Sequence, residues 1–149
     1  MNERDLEFVA QHQSAAMTTL RKDGSPHTVR VGVAVIDSKV WSSGTQTRAR
    51  TKHLRRDPRA TLFVFDTDPT MSWRFLTLQC AVRILDGPDA PDQNLRLFQQ
   101  LQAGLPTPPK PGYVQWFGQD KTIEEFLQAM RDEQRLIYEF DVKNTYGLH

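Results

Sequence analysis

The sequence predicts a mainly β protein of the α+β class: a small antiparallel β-barrel of six strands with helical additions. Six segments carry the apolar content and alternation of strands. Most successive strands are separated by turns too short to hold the helix that a parallel sheet needs between its strands. One predicted helix follows the third strand, and two lie between the fifth and the sixth. The 149 residues suffice for one domain with a proper core.

The first part of the chain predicts a short helix followed by a β-hairpin. The helix covers Glu3–Gln13 and caps the sheet with its apolar positions. Two strands fill Ser14–Ile36 and meet at Lys22–Pro26, where the Asp23-Gly24 pair supplies the positive φ that a tight turn needs. The two strands are therefore expected to be antiparallel.

The second strand of this hairpin has two different faces. The face opposite its valines carries Arg30 and Gly32. This face is shallow, so a flat ligand can approach the backbone there. An ordinary solvated face is the alternative. The valines of the predicted core side are Val29, Val31, Val33 and Val35.

The middle of the chain predicts three more strands and a helix. A third strand at Lys39–Ser43 leads to a helix that begins near Thr47 and ends before Pro58. The next strand, Arg59–Asp66, is apolar on both faces, as expected of a central strand. Trp73–Leu85 alternates cleanly and forms the fifth strand.

The last part predicts two helices, a loop and the closing strand. The first helix covers Asp89–Ala103, and the proline-rich segment Leu105–Gly112 is expected to be an extended surface loop. A capping box at Thr122–Glu125 opens the second helix, which runs to about Glu133. Arg135–Val142 is the closing strand.

The single cysteine and the chain start bear on the cellular compartment. Cys80 lies on an apolar strand face and is expected to be inert core. One cysteine cannot form an internal disulfide, which fits a reducing compartment and predicts the cytoplasm. No apolar signal region and no run of about 18 apolar residues is present, so no membrane association is predicted.

A basic cluster between residues 48 and 59 is the most informative motif. The predicted helix begins inside it, and Asp57 is its only acid. Cations at a helix N-terminus are unfavourable unless an anion also neutralises the dipole and the free N–H groups. The order of strand, hydroxyl- and glycine-rich turn and helix start suits a cofactor phosphate, with a solvated charged helix face as the alternative. The cluster comprises Arg48, Arg50, Lys52, Arg55, Arg56 and Arg59.

Other classes of function are less favoured. The whole chain has a formal net charge of +1, so the basicity is local and argues against a nucleic-acid partner. Nucleic-acid binding through the cluster stays an alternative, and its affinity would fall steeply with salt. The four histidines show no metal-ligand spacing, and no metal is predicted. No Ser-His-Asp set, Cys-His pair or carboxylate pair identifies a catalytic residue.

Three motifs, in this order and spacing, resemble those of the pyridoxamine-phosphate-oxidase-like split β-barrel flavoproteins. Within that family the chain looks closest to the actinobacterial branch that uses the deazaflavin coenzyme F-420. The match covers residues 6 to about 85 and, more loosely, 137–147, whereas 86–134 are not diagnostic. The motifs are TTLRKDGSPH at 18–27, WSS at 41–43 and RARTKHLRRDPRA at 48–60.

The resemblance implies a homodimer with each cofactor in a groove between the subunits. Relatives often carry lysine at the position of Arg50 and neutral amides at those of His27 and Arg30. A surface position is the alternative for His27, and packing at the barrel end is the alternative for Trp73. Carried over by position, the phosphate ligands are Ser43, Arg48 and Arg50 with Lys52 nearby, the ring neighbours are His27, Arg30 and Val31, and the pocket wall is Trp73.

The implied activity is hydride transfer between coenzyme F-420 and an unidentified small organic substrate, with the cofactor supplying the chemistry. The same fold holding FMN as an oxidase or reductase is one alternative. A non-enzymatic flavin, deazaflavin or haem binding protein is another. Trp116, Phe117 and the proline-rich loop are expected to form either a substrate-side wall or simple packing.

Overall fold

Four helices and nine strands make up the structure, a computed structural model that describes residues 1–149. The α+β class is confirmed. The predicted elements begin and end within two residues of the predicted positions, apart from the second strand and the closing strand. The helices are α1 (Glu3–Gln11), α2 (Ala49–Arg56), α3 (Ala90–Ala103) and α4 (Ile123–Asp132). The strands are β1 (Ser14–Leu20), β2 (Pro26–Gly32), β3 (Ala34–Ile36), β4 (Lys39–Thr45), β5 (Arg59–Phe65), β6 (Phe75–Leu85), β7 (Tyr113–Trp116), β8 (Gln119–Thr122) and β9 (Arg135–Leu148).

Seven strands form one antiparallel sheet in the order β2-β1-β5-β6-β9-β4-β3. β2 and β3 lie at opposite edges, although only Val33 separates them in the chain. The sheet must therefore curl until its edges meet. The Ser42 hydroxyl of β4 donates to the carbonyl of Gly32 at 2.7 Å and links the edge strand β2 to the strand beside the other edge.

The predicted count of six strands was wrong for two reasons. The strand expected to run on to Ile36 is divided at Val33, whose N–H donates to the carbonyl of Gln13 at 2.9 Å. The valine alternation continues across this break, so periodicity does not reveal it. The hairpin β7–β8 was not predicted, because β8 has no apolar side chain to mark it as a strand.

The closing strand was predicted to end at Val142 and continues to Leu148. Its last residues pair with the first half of β6 beyond a register shift at Gln79/Cys80. Beyond Val142 most of its side chains are exposed, so the apolar alternation that marks a strand is lost.

The main core lies inside the curled sheet and is closed by α1 and α2. The valine face predicted for the second strand is confirmed, because Val31 and Val33 are buried there with Val29 and Val35 packed beside them. Cys80 is also buried in this core, which raises its pKa to about 12 and makes it inert as a nucleophile.

The outer face of the sheet is divided into a covered and an uncovered part. α3 packs through Leu97 on Trp41 and Ile137, and the β7–β8 hairpin and α4 pack on α3 through Phe126. No helix covers the outer face of β5 and its neighbours, where Phe63 is 40% exposed. We call this surface the aromatic face; it comprises Phe63, Phe65, Phe75, Tyr146 and Leu148.

None of the four helices combines the length and apolar character needed to cross a membrane.

Candidate functional site

The start of α2 is held in place by a buried contact with β9. Thr51 on the first turn donates its hydroxyl to the carbonyl of Thr45 at 2.6 Å and accepts from the Tyr138 hydroxyl. Tyr138 reaches this point across Gly44, where a methyl group would overlap its phenol. The glycine of the turn is therefore needed for packing, and the contact fixes the direction in which α2 begins.

The helix that starts there lacks the usual features of an N-terminus. Arg48 is the N-cap and offers no side-chain cap, and the first turn contains no acid. The dipole and the free N–H groups at this end therefore add to the positive charge of the flanking arginines. A bound anion would stabilise this arrangement.

Arg50 is the central residue of the site. Its Nη2 donates to the carbonyl of Ser43 at 3.2 Å, and its guanidinium lies 5.5 Å from the ring centre of Tyr138. Its Nε is buried and has no hydrogen-bond partner. Burial lowers the pKa of Arg50, and the charges of Arg48 and Arg135 lower it further. An anion would supply the missing acceptor and offset the repulsion between the arginines.

Arg135 completes the site from the first residue of β9. Its side chain is 8% exposed and lies 4.8 Å from the ring centre of Trp116. Nη2 and Nε both donate to Glu133 Oε1, at 2.9 and 3.1 Å. We call the four polar side chains that converge here the arginine cradle: Ser43, Arg48, Arg50 and Arg135.

Two hollows meet at Arg135. A cavity of about 170 Å³ lies between the strands and α3, with Arg50 and Ser43 on one side and Phe98 and Leu101 on the other. An open depression of about 530 Å³ lies beside the start of α2 and includes Arg48. Arg135 lines both, so one ligand could contact the two hollows.

Four of the predicted site residues line the smaller cavity. Ser43 and Arg50 lie beside Arg30 and Val31 there. The side chain of Val31 faces the core, so this residue presents its backbone to the cavity. Arg30 lies on the exposed outer face and donates to Ser14 Oγ at 3.2 Å. A fifth predicted residue, Arg48, lines the adjoining depression.

The structure of the single chain does not bring the other three predicted residues to these hollows. Lys52 is exposed on α2, and Trp73 is 58% exposed in the loop between β5 and β6. His27 faces the inner side of the sheet, opposite to Arg30. Its ring meets that of His53 edge-on at 5.0 Å, and its Nδ1 is buried without a partner. Burial, together with the nearby charges of His27, Arg56 and Arg21, lowers the pKa of His53.

Sequence reasoning missed three polar residues of the site. Asn94 of α3 is buried, accepts from the Ser43 hydroxyl at 2.5 Å and donates to the carbonyl of Ala90 at 2.9 Å. Arg135 is the first residue of β9 and reaches the site through the pairing of β9 with β4, and Glu133 is the C-cap of α4 just before it. Asn94 inside an amphipathic helix was the one available signal, because an amide on the buried face needs a partner.

A curled antiparallel sheet, with an anion cradle where a helix starts beside the open face of a strand, defines the split-barrel class of flavin-binding proteins. Residues 1–147 match the family model described as pyridoxamine 5′-phosphate oxidase. The chain belongs to this family, and the resemblance found in its motifs is confirmed.

Solved structures share the fold at low identity. The conserved hypothetical protein Rv2991 from Mycobacterium tuberculosis superposes with a TM-score of 0.74 at 20% identity, covering 99% of this chain and 84% of that one. An F-420 reductase gives 0.64 at 17% identity and covers 94% of both chains. A FAD-binding protein from Mesorhizobium loti gives 0.64 at 14% identity, covering 99% of this chain and 94% of that one.

Proposed function

We propose that the protein is an oxidoreductase that transfers a hydride between coenzyme F-420 and a small organic substrate. Arg50 carries the proposal, because its Nε is buried and has no hydrogen-bond partner. Arg48 and Arg135 lie near it, and the helix that starts here has no acid in its first turn. This donor set fits a phosphate. Family membership and the likeness to an F-420 reductase support a deazaflavin on that phosphate.

The residues of the chain divide the work of binding. Ser43, Arg48 and Arg50 hold the phosphate, and Arg135 adds a fourth polar contact. The bound deazaflavin supplies the hydride chemistry. Phe98 and Leu101 of α3 form the apolar wall of the cavity and exclude water from the ligand.

The active form that we propose is a homodimer with the cofactor between the subunits. The aromatic face supports it, because exposed rings on a sheet are typical of a surface that another chain covers. Arg30, which lines the cavity, lies opposite Ala16 on the neighbouring strand β1. Ala16 in turn lies opposite Phe63 of the aromatic face on β5. The site and the proposed interface therefore adjoin on the outer side of one sheet. The predicted residues Lys52, His27 and Trp73 stay candidates for contacts with the cofactor in that dimer.

A flavin enzyme that uses FMN is the second candidate. The family description and the likeness to a FAD-binding protein favour it. The arginine cradle suits either cofactor, because both carry a phosphate.

The absorption spectrum of the purified protein and titrations with F-420 and FMN test the proposal. Replacement of Arg50 with alanine is expected to weaken F-420 binding by about 10- to 150-fold, since a charge-assisted hydrogen bond contributes about 1.5–3 kcal/mol. Arg59→Ala is the matched control, because Arg59 pairs only with the nearby Asp57. Tight FMN binding without F-420 binding would reject the deazaflavin, and unchanged affinity in Arg50→Ala would remove Arg50 from the site.

A further inference from the structure

The turn of the β7–β8 hairpin holds a large apolar ring in solvent. Phe117 is 81% exposed and has a φ of 49°, followed by Gly118 at 75°. A non-glycine residue in this left-handed region is uncommon and strained, and the exposed ring gains little from burial. Trp116 contacts it edge-on at 4.8 Å. Core packing therefore does not explain the position of Phe117.

The ring lies on the rim of the open depression beside α2. Arg48 and Arg135 contribute the cations of this depression, and Thr45 and Thr47 contribute hydroxyls. Glu133 is its one acid, and it pairs with Arg135. The depression thus combines two guanidinium groups with one flat apolar surface, a combination that suits an anion joined to a flat or apolar group.

We infer that this depression is a second ligand subsite, which we call the Phe117 subsite. It takes the part of the ligand that continues beyond the phosphate in the arginine cradle. Arg48 and Arg135, which contact the cradle phosphate and also line the depression, bind a further anionic group of that part as well, and Phe117 packs on a flat or apolar group. The ligand class is therefore a phosphate diester or diphosphate, whereas a phosphate monoester ends at the cradle. The inference rests on the proposed function only in that the cradle holds a phosphate.

Three ligands test the Phe117 subsite in binding titrations followed by fluorescence or calorimetry. FMN and FAD share the ring and the first phosphate and differ only beyond it, and F-420 also continues beyond its phosphate. Phe117→Ala is expected to weaken FAD binding by about 3- to 10-fold, the range of a lost aromatic contact, and to affect F-420 less, because the part of F-420 beyond the phosphate is anionic and carries no ring. FMN binding is expected to stay within about twofold.

Tyr113→Ala is the matched control, because Tyr113 is 44% exposed on the same hairpin and does not line the depression. Equal weakening of all three ligands, no weakening of any, or binding of FMN alone would overturn the inference. So would a change of oligomeric state in Phe117→Ala, measured by sedimentation velocity, because the ring would then belong to an interface between copies.

The same experiment separates this inference from the proposed function. If FAD shows the Phe117 dependence and F-420 does not bind at all, the subsite stands and the deazaflavin activity fails. If none of the three ligands binds, the arginine cradle and the subsite both fail.

Discussion

Gly44 shows, at the scale of a single residue, how the core positions the site. The Tyr138 phenol occupies the space that a side chain at this position would need. Gly44→Ala is therefore expected to lower the free energy of unfolding by about 1–3 kcal/mol through overpacking. Urea denaturation measures the change. Gly87→Ala is the control, because no atom lies near the added methyl there, and a comparable loss in both variants would contradict the packing argument.

Glu139 makes stability depend on pH. Burial raises the pKa of this carboxyl, but hydrogen bonds from Trp41 Nε1 at 2.9 Å and Lys39 Nζ at 3.2 Å, with the charge of Arg83, lower it overall. A lowered pKa in the folded state adds stability above the ordinary value of 4.5 and loses it as the pH falls through the folded value. We expect Glu139→Gln to be less stable than wild type at pH 7, with a smaller difference near pH 3. A difference that does not depend on pH, in urea denaturation at the two pH values, would exclude this role.

At the scale of elements, the sequence predicted those with strong periodicity or a capping signal. The capping box of α4 is present, with Thr122 and Glu125 bonding each other's backbone N–H groups. β7 and β8 were not predicted, because four-residue strands with few apolar side chains carry no periodic signal. The elements of residues 86–134 were therefore partly predictable, although this segment carries no family motif.

Thr122→Ala tests the contribution of the capping box to the wall formed by α4. Loss of the cap leaves the Glu125 N–H without its acceptor, so we expect a destabilisation of about 1 kcal/mol. Urea denaturation followed by circular dichroism measures the change, and Trp116, whose ring packs on Phe126 of α4, is one of the three tryptophans that report unfolding by fluorescence. Thr107→Ala in the exposed proline-rich loop is the control, and equal stability of the two variants would count against the cap.

For the whole molecule, the aromatic face is the feature that the single chain leaves uncovered. Its rings stack on one another, with Phe63 and Phe75 centred 5.3 Å apart. If a second copy covers this face, Phe63→Lys is expected to shift the protein from dimer to monomer in sedimentation velocity, because a charge would be buried without a partner. Tyr113→Lys, an exposed aromatic outside the face, should leave the dimer intact. A wild-type protein that sediments as a monomer would contradict the proposed assembly.

Whether the sequence could predict a site residue depends on whether local or long-range structure fixes the position of that residue. Ser43 and Arg50 were predictable because a strand, a turn and a helix start follow one another within a few residues. Arg135 was not, because its place beside them comes from the pairing of β4 with β9, about 90 residues later in the chain. His27 was assigned to the ligand side by resemblance, whereas strand alternation places it opposite to Arg30.

The break at Val33 also bears on aggregation. An open sheet exposes backbone N–H and C=O groups along both edges, and such edges recruit strands from other chains. Here the chain leaves one edge and enters the other within a single residue, so each edge ends where the other begins. The topology thus brings the two edges together at Val33, so an insertion there is expected to separate them and to leave more unpaired backbone open to other chains.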